Sequence, residues 1–146
     1  MAKASITRRM EFDAGHRVLG HEGKCKNLHG HRYVVELTVA AAELDLLGRV
    51  IDFGVVKQLV GGWIDANLDH NMILNPQDIL LRVPKAVVPM LGREPVVMPL
   101  QFPNPTAENI ARLIWVTAFE LLKPTGVELR WVDLWETPNC RARFPA

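Results

Sequence analysis

"CKNLHGHRYVVELTVA", residues 25–40, sets a cysteine and two histidines against the start of an alternating run. From His31 onward, Tyr33, Val35, Leu37 and Val39 share one side, while Arg32, Glu36 and Thr38 lie on the other. A period of two with one apolar side predicts a half-buried antiparallel strand. If that strand begins by residue 29, His29 and His31 point to the same side. Upstream, "SITRRMEFDAGH" (5–16) reads as a first strand, with Ile6, Arg8, Met10 and Phe12 on a loosely apolar face and His16 at its end. Pairing the two strands as a hairpin with a looped connection brings His16, His29 and His31 to one end of one sheet. Four of the five histidines fall between positions 16 and 31.

The rest of the chain supplies what packs on this hairpin. "GRVIDF" (48–53) reads as a short third strand. A helix follows, with Asp52 as N-cap and Val56, Leu59, Val60, Trp63 and Ile64 at helical spacing. Gly61 and Gly62 weaken it by roughly 1 kcal/mol each relative to alanine, which points to a packing reason for keeping them. Residues 76–105 hold seven of the ten prolines and read as an irregular excursion with at most a short hairpin around "PVVMPL" (95–100). Segments of this kind often serve as lids or interface arms. A second helix starts near "NPTAEN" (104–109), capped by Asn104 or Thr106, with Glu108 in its first turn. Ile110, Leu113, Ile114, Ala118, Leu121 and Leu122 form its apolar stripe, and Pro124 and Gly126 end it. "VELRWVDLWET" (127–137), apolar on both faces, is the last strand and a central one. The order β-β-β-α-loop-α-β with mostly antiparallel strands is an α+β fold, read as one domain over residues 1–146.

Composition narrows the function. A chain of 146 residues, 49% hydrophobic, can bury a core without staples. Its net charge of +1 argues against a dedicated nucleic-acid or anionic-membrane binder. The first 32 residues carry a local +4 and the remainder −3. That asymmetry is either scattered surface charge or a field drawing an anionic small molecule to the histidine-rich end. Cys25 and Cys140 lie too far apart in sequence to suggest a disulfide framework, which favours a reducing compartment. Neither a signal-peptide pattern nor a membrane-length apolar run is present, so the expectation is a soluble, cytoplasmic protein.

Three imidazoles suit zinc, and three protein ligands leave the open fourth position typical of a catalytic ion. Spacing alone also allows a structural metal, with Cys25 or His21 as fourth ligand, or no metal at all. Cys25 beside Lys24 and Lys26 has the surroundings that lower a thiol pKa from about 8.5. Bound to zinc its basicity would be quenched; held just outside coordination it could abstract a proton. Asp69-His70 can pass a proton, the carboxylate orienting the imidazole, although such pairs are also common on surfaces. Glu136, in "LWETPN" (134–139), closes a largely apolar strand. It is either a solvated strand-end carboxylate or the partner of a ligand with adjacent N–H donors, such as an aminopyrimidinone ring.

"FDAGHR", "CKNLHGHRY", "GRVIDF", "LDHNMILN", "NPTAENIA" and "LWETPN" resemble, in order, the motifs of the 6-pyruvoyltetrahydropterin synthase / 6-carboxytetrahydropterin synthase family, over roughly residues 6–137. The stretch 78–102 is longer than the usual family connection. The resemblance implies the T-fold, or tunnelling fold: a four-stranded antiparallel sheet with two helices on one face. It implies homo-oligomeric barrels, commonly hexamers, with active sites between subunits. It also implies zinc on His16, His29 and His31, with Cys25 as general base. Asp69 and His70 would form a proton relay, Glu136 a pterin anchor that joins that relay, and Thr106 and Glu108 further substrate contacts. The C-x3-H-G-H spacing resembles the bacterial 6-carboxytetrahydropterin synthases of queuosine biosynthesis. These form 6-carboxytetrahydropterin, acetaldehyde and triphosphate from 7,8-dihydroneopterin triphosphate. The alternatives are the pyruvoyl-forming reaction, which stops at triphosphate elimination, and a non-catalytic metal-binding module.

Overall fold

The computed structural model describes residues 2, 4–84 and 93–146. Two strands of 13 residues, β1 (Ala4–His16) and β2 (His29–Ala41), pair antiparallel without interruption from Ala4↔Ala41 to His16↔His29. Their alternation puts Met10, Phe12, Ala14 and His16 of β1 and Tyr33, Val35, Leu37 and Val39 of β2 into one face. All except the histidine belong to the hydrophobic core, and Phe12 stacks on Tyr33 with ring centroids 4.9 Å apart. Each of the larger apolar side chains contributes on the order of 1.5–3 kcal/mol by leaving water. Arg9, Glu11, Asp13 and Arg32 occupy the opposite face, where Arg32 reaches both acids.

The sheet grows outward from this pair in the order β4-β3-β1-β2-β5-β6. β5 (Glu128–Thr137) pairs antiparallel with β2, and β6 (Cys140–Phe144) pairs antiparallel with β5. On the other side, β3 (Asn71–Leu74) runs parallel to β1, and β4 (Val96–Val97) runs parallel to β3. Six strands in a mixed sheet thus stand where the sequence predicts four antiparallel ones. β3 is too short to show a period, and β6 has too many exposed polar positions to read as apolar. "GRVIDF" forms no strand. The Asp45 carboxylate accepts from the N–H groups of Leu47 and Arg49, and Gly48 sits at φ 82°, so the chain closes a tight turn. Around "PVVMPL", the two-residue β4 replaces the expected hairpin; Pro95 and Pro99 at its flanks have no N–H with which to extend a ladder. Residues 85–92 of the Pro-rich excursion lie outside the described residues.

The first helix, α1, covers 53–67. Its middle turn, Lys57–Gly61, is wound as a π-helix between Phe53–Val56 and Gly62–Asn67. Asp52 caps it as expected, its carboxylate accepting from Gly54 N–H at 2.7 Å. Val56, Val60, Ile64 and, just beyond, Leu68 are buried in the core. Gly61 faces β1: a Cβ there would stand 3.3 Å from Met10 Sδ, whereas one at Gly62 would meet nothing within 4 Å. Packing therefore explains the first glycine and not the second. Arg93 donates to the carbonyls of Asp65, Ala66 and Asp69, tying the chain before β4 to the end of α1. The second helix, α2 (Ala107–Leu122), is capped by the Thr106 hydroxyl, which accepts from Asn109 N–H at 3.2 Å. Ile110, Ile114, Ala118 and Leu122 carry its stripe into the core, and Gly126 at φ 76° ends the extra turn that follows. No helix among the described residues is long and apolar enough to cross a membrane.

Because Gly62 is exposed, helical and unobstructed, Gly62→Ala is expected to stabilise the fold by about 0.5–1 kcal/mol. Gly61→Ala should gain less, because Met10 must give way. Urea unfolding of the two variants side by side measures the difference.

Candidate metal centre

The uninterrupted β1–β2 ladder places His16 directly opposite His29 and Ala14 opposite His31. All three histidines sit on the face that also holds Tyr33. Their rings converge, with centroids 4.5 Å apart for His16–His29, 5.1 Å for His16–His31 and 4.9 Å for His29–His31. Gly30 between the two histidines is required by the close pairing: a Cβ there would come within 3.0 Å of the Ala14 carbonyl oxygen.

Backbone carbonyls orient two of the rings. His16 Nδ1 donates to Pro105 O and His29 Nδ1 donates to Asn27 O, each at 2.7 Å. That fixes the tautomer and leaves each Nε2 with its lone pair free, the arrangement found behind metal-ligating imidazoles. Glu136, near the end of β5, completes the group. Its Oε1 stands 2.7 Å from His31 Nε2 and 3.5 Å from His16 Nε2. The four side chains offer donor atoms that all lie within 4.8 Å of one another. His16 Nε2 and His31 Nε2 are buried and make no well-angled hydrogen bond; both face Glu136 Oε1. Buried imidazole nitrogens turned toward a shared point, with a carboxylate beside them, are the donor set of a divalent transition ion. The residues fit zinc.

The electrostatics agree. Burial, together with the neighbouring His16 and His29, pushes the His31 imidazole below its ordinary 6.5 against the pull of Glu136, which favours the neutral, ligating form. Contact with His16, reinforced by His31 and His29, holds the Glu136 carboxyl below its usual range despite burial. Burial first, then Glu136 and Cys25, pushes the Tyr33 phenol up, so it stays protonated. Cys25 lies in a single 3-10 turn (Lys24–Lys26) of the loop between β1 and β2. It is half-buried and outside the four-donor group, yet near enough to act on Tyr33.

The other predicted residues stand apart. Asp69 and His70, just before β3, form a second group with Asp13, whose side chain alternation puts on the face of β1 away from His16. Asp69 Oδ1 accepts from Asp13 N–H at 2.9 Å, and Asp69 Oδ2 contacts His70 Nδ1 at 2.8 Å. Burial raises the Asp69 carboxyl, but the Asp13 N–H and His70 outweigh it and hold the group ionised. His70 adopts φ 54°, a left-handed conformation rare outside glycine, and its side chain is largely exposed. Thr106 spends its hydroxyl on capping α2, and Glu108 is exposed in the first turn; neither joins the four donors. Arg17 is committed to Asp78 through two bonds of 2.7 and 2.6 Å, whereas Lys24 and Lys26 are unpaired among the described residues. Two contributors escape sequence reading. Tyr33 was accessible to it, lying two residues beyond His31 on the same strand face; the Pro105 carbonyl, distant in sequence, was not.

The family model of 6-pyruvoyl tetrahydropterin synthase matches residues 5–146 of this chain. The chain belongs to that family. A 6-carboxy-5,6,7,8-tetrahydropterin synthase of Rickettsia bellii is 44% identical over 135 residues, covering 92% of this chain and 94% of that one. An uncharacterised protein of Wolinella succinogenes superposes with a TM-score of 0.81 at 25% identity, covering 96% of each chain. A 6-pyruvoyltetrahydropterin synthase of Plasmodium vivax superposes with a TM-score of 0.73 at 23% identity, covering 96% of this chain and 95% of that one. The fold is the T-fold of these enzymes, in a six-stranded sheet that lacks the expected "GRVIDF" strand and gains β3, β4 and β6.

The depressed His31 pKa has a consequence for the metal-free protein. A group whose folded pKa lies below its unfolded value contributes stability above the unfolded value and loses it as pH falls. Chelator-treated protein should therefore lose stability as pH drops below 6.5, before Glu136 titrates, and His31→Gln should flatten that slope. Thermal melts across this range provide the check.

Proposed function

We propose that this chain is a zinc-dependent 6-carboxytetrahydropterin synthase, a carbon–carbon lyase converting 7,8-dihydroneopterin triphosphate and water to 6-carboxy-5,6,7,8-tetrahydropterin, acetaldehyde and triphosphate. The observation carrying this reading is the convergence of His16, His29 and His31 with two buried Nε2 atoms that face the Glu136 carboxylate, while the Cys25 thiol stays outside the group. The shared name of the relatives at 44–46% identity supports the carboxy-forming outcome over the pyruvoyl-forming one, and we assign the chain on that reading to 7-deazapurine (queuosine) synthesis.

Zinc on these three imidazoles would supply Lewis acidity toward the side-chain oxygens of the substrate. Cys25, as thiolate, removes the C1′ proton. Lys24 and Lys26 offer the free cations for the triphosphate; Arg17 is held by Asp78. Glu136 anchors the pterin ring through paired N–H donors, a positioning contribution, and Thr106 and Glu108 contact the ring from the start of α2. Glu136 already faces His31 and His16, so a ring held by this carboxylate lies directly against the metal group.

Asp69 and His70 return the proton. Their place on the opposite sheet face from the imidazoles supports a site completed by the Asp69–His70 pair of a second copy. The reading is therefore a homo-oligomer, a hexamer by family likeness, with active sites between subunits.

Cys25→Ala is expected to retain one zinc per chain and to lose turnover of dihydroneopterin triphosphate; unchanged turnover would remove Cys25 from the reaction. Acetaldehyde should appear in equal amount with the pterin product. Mixing inactive Cys25→Ala with inactive His70→Ala chains, after reversible dissociation, should restore activity by assembling some sites with both groups intact. Persistent inactivity would place the two groups in one copy's site.

A further inference from the structure

Thr106, not Asn104, caps α2, which leaves the Asn104 side chain unexplained by the helix. That side chain grips the backbone of a single residue through both its N–H and its carbonyl. Asn104 Nδ2 donates to Leu19 O at 3.0 Å, and Asn104 Oδ1 accepts from Leu19 N–H at 3.1 Å. The same Oδ1 accepts from buried Asn75 Nδ2 at 2.8 Å, just past β3. Its backbone carbonyl accepts from Asn109 Nδ2 at 2.9 Å, fastening it to α2. Leu19 lies in the Cys25 loop, and the adjacent Val18 N–H donates to Cys25 O at 2.8 Å. The next residue after Asn104, Pro105, supplies the carbonyl that orients His16.

We propose that Asn104 is a positioning residue that sets the Cys25 loop against the imidazole cluster, by clamping the Leu19 backbone while its neighbour Pro105 holds the His16 ring. The inference rests on the reading of Cys25 as the base. One short segment, Asn104-Pro105, then governs both the thiol and one metal ligand, so the distance between base and metal is fixed by two adjacent residues. Only a carboxamide can do this. It must donate once and accept twice in one plane, and aspartate at this position would set an oxygen against the Leu19 carbonyl.

The test is Asn104→Asp in the zinc-loaded enzyme, read by backbone hydrogen exchange, metal content and steady-state kinetics. Exchange over residues 17–28 should accelerate about tenfold or more while α2 and the β1–β2 ladder stay protected. Zinc should remain at one per chain, and kcat should fall on the order of 10²-fold with little change in KM, the signature of a misplaced group rather than a lost binding contact. Exchange unchanged in this loop, exchange accelerated uniformly through the chain, or a loosened loop with normal kcat would each overturn the proposal. If the variant does not fold, the wild-type protein decides. The Leu19 amide should exchange at least about tenfold more slowly than those of Gly20 and Glu22, and equal rates would overturn the clamp. Exchange and zinc content do not depend on turnover, so a wild-type enzyme inactive on dihydroneopterin triphosphate would sink the reaction assignment and leave the clamp to be judged by these two readouts.

Discussion

The register of β1 against β2 is the constraint on which the rest of the molecule depends. Thirteen consecutive pairs align the apolar residues of both strands on one face and carry that alignment to the His16↔His29 end. Side chains in a strand alternate, so a slip of one residue would turn every one of these to the other face. The same slip would expose Phe12 and Tyr33 and scatter the imidazoles. Core packing and metal geometry are therefore enforced by one ladder, and the energy burying Phe12, Tyr33, Val35 and Leu37 also holds the histidines in place.

The second organising feature is the division of chemistry between the two faces. The helix-covered face ends in imidazoles, Glu136, Tyr33 and the nearby thiol; the uncovered face carries Asp13, Asp69 and His70. His70 is kept in a left-handed conformation by its own N–H, which donates to Asp13 O at 2.6 Å, and by Arg93 gripping the carbonyls around it. A non-glycine residue held this way carries a local cost that the surrounding bonds offset, a pattern concentrated at functional positions. The proposed assembly of sites between copies is the arrangement that gives both faces a part in one reaction.

Sequence reading reached the parts governed by short-range rules. The period of two located β1 and β2, and His16, His29 and His31 followed from their places on those strands. Asp52 and the apolar stripes defined the helices. It did not reach what tertiary pairing decides. β3 has four residues and β4 two, so neither carries a pattern of its own; each exists because a neighbouring edge offers a ladder. "GRVIDF" looks like a strand by composition, but Asp45 satisfies its backbone locally and bends it into a turn. Within the site, Glu136 was recognisable as an acid needing a partner, whereas its approach to His31 and the Pro105 carbonyl behind His16 arise from contacts between distant segments.

The central claim is that three imidazoles present their free nitrogens to one ion while the Cys25 sulfur remains unbound. X-ray absorption at the zinc edge of the metal-loaded protein tests it most directly. The account predicts only nitrogen and oxygen neighbours, with the imidazole contribution near 2.0–2.1 Å. A sulfur neighbour near 2.3 Å, or a protein that takes up no zinc, would contradict it.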